Sequence, residues 1–151
     1  MSNTKKNKER AITLNLLIDS LIGVGPIKFG MTKKEIRSVI SSDVKEFKKT
    51  PTSETLTDVF DFCHVYYKQD DTCEAIELFE PAIPIFNNEK LIGVSFKEVK
   101  KLFLQLDKDV EIEETGLTSI KYGVALFVPS LSRSEKEPVE GVFLFEQGYY
   151  D

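Results

Sequence analysis

The residues best equipped for chemistry in this chain are few and poorly spaced for it. His64 is the single histidine, so any Ser-His-Asp or Cys-His arrangement must use it, and Cys63 is its immediate neighbour. Adjacent strand residues point to opposite faces, so the Cys63 thiol has no ready path to the His64 ring. Cys73 could approach from a partner strand, but no third residue stands out to orient the pair. As zinc ligands, Cys63, His64 and Cys73 lack the paired short spacings of structural zinc modules. The stretch "GVGPIKFG" (residues 23–30) is glycine-rich and precedes a helix, as phosphate-binding loops do. Pro26 offers no amide, however, and neither the dinucleotide fingerprint nor the P-loop pattern is present. The expectation is a chain with no catalytic residue, no metal and no cofactor, and therefore not an enzyme.

Carboxylates are the abundant functional groups. Asp70, Asp71, Glu74, Glu77 and Glu80 fall within 11 residues without an intervening Lys or Arg. "DDTCEAIELFE" has no central Gly, so it does not read as a calcium loop of the EF-hand type. Any acidic protein offers carboxylate pairs, so acid–base catalysis is not singled out. The two readings in play are a solvated face and a surface for a basic protein. On a strand from Cys73 to Glu80, Ile76 and Leu78 would face the core and Cys73, Ala75, Glu77 and Phe79 the other side. Glu74 and Glu80 then share the Ile76 face and belong at its wet ends. Asp70, Asp71 and Glu77 are accordingly the stronger partner-binding candidates, with Glu74 and Glu80 behind them. Glu111, Glu113 and Glu114 form a second cluster. Tyr149 and Tyr150, in the tail "EQGYYD", are candidates as well, because tyrosine is favoured at interfaces. The rival reading packs them back over a sheet edge.

Two helices must position these groups, and their starts echo each other. "FGMTKKEIRSVI" (residues 29–40) returns as "IGVSFKEVKKLF" (residues 92–103). Thr32 with Glu35 and Ser95 with Glu98 are capping-box pairs, and Met31 with Ile36 and Val94 with Val99 have hydrophobic-staple spacing. The echo is scaffold, and its 63-residue offset hints at internal duplication of a strand–helix–hairpin unit. Residues 9–22 read as a helix, although "ITLNLLI" could equally be a strand, 26–29 read as a strand, and helices follow at about 32–41 and 95–106. "DVFDFCHVYY" (58–67) and "CEAIELFE" (73–80) are a hairpin about the turn "KQDD". Pro81 and Pro84 end it, and residues 48–55 are a loop. Strands at "VEIEE", "LTSIKYG" and "VALFVP" and a final strand in "VEGVFLFEQGYYD" complete the order. This pattern predicts one α+β domain over 1–151, mainly an antiparallel sheet with helices packed on one face.

Composition narrows the class of partner. Forty-one per cent hydrophobic residues, with eleven Phe and five Tyr, is ample for a core at 151 residues. No apolar run approaches the roughly 20 residues of a membrane span, and the basic N-terminus lacks a secretory cleavage site. Two thiols without other signs of an exported disulfide protein fit a reducing cytoplasm. Residues 1–10 carry a net charge of +3 and read as a frayed basic leader, leaving −8 of the total −5 on the rest. An acidic body argues against direct nucleic-acid binding and suits a basic protein.

"GVGPIKFGMTKKEI" near the start and "PVEGVFLFEQGYYD" at the end together resemble a group of small bacterial cytoplasmic proteins. Some of that group look like immunity proteins of polymorphic or contact-dependent growth inhibition toxins. The resemblance spans roughly Gly23 to Asp151 and names no site residue, because toxin contacts differ from pair to pair. It implies an antitoxin that binds a cognate toxin, often a nuclease, and blocks its active site or substrate approach. The competing class is a small-molecule-binding or enzymatic α+β domain with a pocket between helices and sheet.

Overall fold

Short extended segments, rather than helices, build most of the regular structure. The computed structural model describes residues 14–40, 43–48 and 50–151. In chain order the elements are β1 (Asn15–Asp19), β2 (Gly23–Val24), β3 (Ile27–Lys28), α1 (Lys33–Val39), β4 (Lys45–Lys48), β5 (Leu56–Val59), β6 (Cys63–Tyr67) and β7 (Cys73–Phe79). There follow β8 (Ile83–Phe86), β9 (Glu89–Lys90), α2 (Phe96–Leu106), β10 (Glu111–Glu113), β11 (Gly116–Ser119), β12 (Val124–Phe127) and β13 (Gly141–Phe145). Eight strands form one antiparallel sheet in the order β10-β11-β12-β13-β7-β6-β5-β4. The other five form a smaller sheet, β3-β2-β1-β8-β9, in which β1 and β8 are the parallel pair.

The expected α+β arrangement is therefore wrong. Strand accounts for 41% of the structure and helix for 13%, so two helices cannot form a layer over one sheet face. In α1 the only fully buried residue is Ile36. Each helix instead links a small-sheet hairpin to a four-stranded meander of the large sheet. Of the two readings of 9–22, the strand holds and the helix fails where the chain is described: Asn15–Asp19 is a strand, and residues 9–13, like the basic leader 1–10, lie outside the described residues. One apolar core joins the inner face of the large sheet (Val65, Ile76, Leu78, Val142 and Leu144), the helix residues Ile36, Phe96, Val99 and Phe103, and small-sheet residues such as Leu16 and Ile27.

The helix starts are alike in more than sequence. The Thr32 side chain accepts from Glu35 N, and Glu35 returns to Thr32 N; Ser95 Oγ accepts from Glu98 N at 3.4 Å. Behind each cap the backbone is pinned to the large sheet by three matching hydrogen bonds. Gly30, Cys73 and Lys33 donate to Cys73, Met31 and Asp71, while Gly93, Val139 and Phe96 donate to Val139, Val94 and Glu137. Thr32 thereby bridges Thr72 as Ser95 bridges Pro138. A shift of 66 residues carries Thr72 onto Pro138 and also Glu77 onto Phe143, and those last two face each other across the central β7–β13 pair. The repeated unit is thus a helix feeding a four-stranded meander, not a strand–helix–hairpin. Its local two-fold passes through Glu77 and Phe143.

Candidate protein-binding face

Register decides which residues share the face of the large sheet turned away from the core. Glu111, Thr118, Ala125, Phe143, Glu77, His64, Val59 and Lys45 lie in one cross-strand row. Phe127, Gly141 and Phe79 lie in the next. A Cβ on Gly141 would stand 3.4 Å from Phe127 Cβ, so the absent side chain lets the Phe127 ring lie across the strand. Phe127 remains 51% exposed and Phe47 38%. This face should be polar if water were its only neighbour.

Its rings form a chain at distances that favour edge-on and tilted aromatic contacts. Phe47 and Phe79 flank His64 with centroids 5.6 and 5.0 Å away. Tyr66 continues to Phe143 at 5.9 Å, and Phe143 to Tyr149 at 5.6 Å. Tyr150 stands edge-on to Phe145 at 5.0 Å and to Tyr149 at 5.1 Å. The tail tyrosines thus pack on the outer sheet face rather than over an edge, and Tyr150 is still 57% exposed.

Glu77 sits in the middle of this surface. Its Oε1 lies 3.2 Å from His64 Nδ1 and accepts the Tyr66 hydroxyl at 3.4 Å. Burial, and then the Glu77 charge, push the Tyr66 hydroxyl up from its ordinary value. Two further glutamates of the face come from β10 at the sheet edge. Glu111 and Glu113, with Ile120, Ala125, Phe143 and Tyr150, line an open groove of about 560 Å³. The Thr118 hydroxyl donates to Glu113 Oε1 at 2.7 Å and fixes that carboxylate on the groove rim. Tyr150's hydroxyl is raised by burial first, then by Tyr149, Glu113 and Glu111, as expected of a ring facing those carboxylates.

The five acids of the 70–80 stretch do not form one patch. Asp70 and Asp71 occupy the β6–β7 turn and Glu80 follows the far end of β7, with the seven residues of that strand, about 20 Å at ordinary rise, between them. Asp70 Oδ1 accepts from Thr72 N and Thr72 Oγ1, and these bonds hold its carboxyl below the usual range. Asp71 adopts a φ of 61° and lies 3.8 Å from Lys33 Nζ. A bulge places both Glu74 and Ala75 opposite Tyr66, between the pairs Tyr66–Ala75 and Tyr67–Cys73. The bulge corrects two expected orientations: Cys73 turns into the core, fully buried, and Glu74 leaves the Ile76 face. Cys63 and His64 point to opposite sides as expected, and both thiols are free and buried.

What sequence reasoning missed is the aromatic floor of this face. Its signal was present in "GVFLF" (residues 141–145), a strand apolar at every position although one of its faces is turned away from the core. Among the described residues no helix is long and apolar enough to cross a membrane. Comparison of the chain with known protein families, with curated proteins and with solved structures gives no match.

Proposed function

We propose that this chain is an immunity protein that neutralises a cognate bacterial toxin, a basic nuclease being the expected class, by covering its active site or substrate approach with the outer face of the large sheet. One observation carries the reading: an exposed aromatic surface bearing Glu77 at its centre and Glu111 and Glu113 at its edge. Aromatic rings supply area that is favourable to bury, and like-signed carboxylates steer a cationic cleft toward it. A cytoplasmic location belongs to the same reading, since an internal toxin must be met where it acts. The sequence resemblance points the same way.

The test is to search the neighbourhood of this chain's gene for a toxin domain and to co-express the two. Restored growth, a stable complex and an association rate that falls as salt rises are expected. An active toxin in the presence of the folded chain, together with turnover of a small molecule by the purified protein, would reject it.

A further inference from the structure

Within that face, and resting on that reading, we infer that the groove between β10 and the tail is the receptor for an arginine side chain of the partner. The chemistry follows from what lines it. Phe143 and Tyr150 present ring surface, on which a planar guanidinium stacks at little desolvation cost. Glu111 and Glu113 project to the same side of the sheet, since each is two residues from the other on one strand. Glu113 is held by the Thr118 hydroxyl through Oε1. A guanidinium lying over the rings can therefore direct its N–H donors at carboxylate oxygens along one rim, and Asp151 adds a further carboxylate to the lining. Lysine fits less well, because a compact ammonium satisfies one carboxylate and gains less from the rings. An apolar occupant would leave Glu111 and Glu113 beside it without a counter-charge.

The floor is preformed. Ala125 is the small residue of the row Thr118–Ala125–Phe143, which opens depth between larger neighbours. Tyr150 is set by its contacts with Phe145 and Tyr149, so the aromatic wall does not have to be ordered on binding. The role assigned is that of an anchor: one cationic side chain entering an acidic, ring-walled groove while the rest of the partner covers the flat sheet.

Because the groove is complete in the free chain, it can be tested without the partner. The uniformly ¹⁵N-labelled full chain is titrated with a blocked pentapeptide of alternating glycine and arginine, with its lysine counterpart, and with its isosteric, uncharged citrulline counterpart. Saturable amide shifts at residues 111–113, 118, 143 and 149–150 are expected with arginine. Affinity should drop about fivefold for lysine and more for citrulline. The double variant Glu111→Gln with Glu113→Gln, which keeps an acceptor for Thr118, should weaken arginine binding about fivefold, as should Tyr150→Ala alone. Glu135→Gln, beside Lys100 on α2, should leave it unchanged. Equal shifts with citrulline, shifts scattered over the surface, or indifference to the groove variants would overturn the assignment. A toxin that binds while the peptide does not defeats the groove alone; a peptide that binds while the neighbouring toxin stays active defeats the immunity reading alone.

Discussion

Asp58 is the residue whose loss the fold should feel most. It is fully buried, yet it bonds Arg37 through both oxygens, at 2.9 and 2.6 Å, and accepts the Tyr67 hydroxyl at 2.8 Å. Glu46 also approaches Arg37 at 3.2 Å, so the guanidinium ties α1 to β4 and β5. Breaking a buried pair from one side leaves an uncompensated charge, so Arg37→Ala should cost about 3–5 kcal/mol in denaturant unfolding. A loss below 1 kcal/mol would mean that the pair is wetter than its burial indicates. The cysteines give a second check. Burial pushes the Cys73 thiol up to about 12 and the Cys63 thiol higher still. Thiolate is the reactive form, so neither should alkylate in the native protein at pH 8, and both should after unfolding. At the hairpin turn Asp70 titrates below its unfolded value. Its contribution to stability is then complete above about pH 5 and disappears as pH falls through the folded value. A carbon-detected titration should show this low midpoint, and Thr72→Val should raise it.

Elements carry the next set of consequences. Gly116 permits β11 to approach β12 so closely that a Cβ there would lie 1.7 Å from the Leu126 carbonyl oxygen. Gly116→Ala should destabilise by more than about 1 kcal/mol and loosen β10, which among the described residues pairs only with β11. Thr32→Ala and Ser95→Ala should each cost about 1 kcal/mol without touching the outer face. The caps were legible because Thr32 with Glu35 and Ser95 with Glu98 act over three residues, although only the first pair closes the full capping box. The fold class was not, because its deciding elements are too short to show a period. "KEFK" in β4 is exposed at all four positions. β8 hides behind Pro84, which is tolerated because only its carbonyl is used, accepting from Leu91 N while Ile83 N reaches back to Leu14. The bulge at Glu74 reversed the expected facing of Cys73, and nothing local in "TCEAIE" announces it. Glu77 was placed correctly by alternation, whereas its union with "EIEE" and the tyrosine tail depends on strand order, which pairing over 60 residues of separation creates.

At the scale of the molecule, the two meanders meet at β7 and β13 and make one broad face with Glu77 near its local two-fold. Charge is distributed unequally over it: Glu111 and Glu113 lie at one end and Lys45 at the other. A partner with a cationic cleft would be steered toward the β10 end and buried against the rings between. Glu77 stands about 20 Å along β7 from the turn acids at ordinary strand rise, so the two regions can be charged separately. The decisive measurement is the association rate of the neighbouring toxin domain, at low and moderate salt, with two charge-reversal variants of the chain. Glu77→Lys with Glu111→Lys and Glu113→Lys should slow association at least about tenfold and flatten its salt dependence, whereas Asp70→Lys with Asp71→Lys should change the rate by less than about threefold. Unchanged association for the first variant, or a larger effect from the second, would contradict the assignment of the outer sheet face as the working surface.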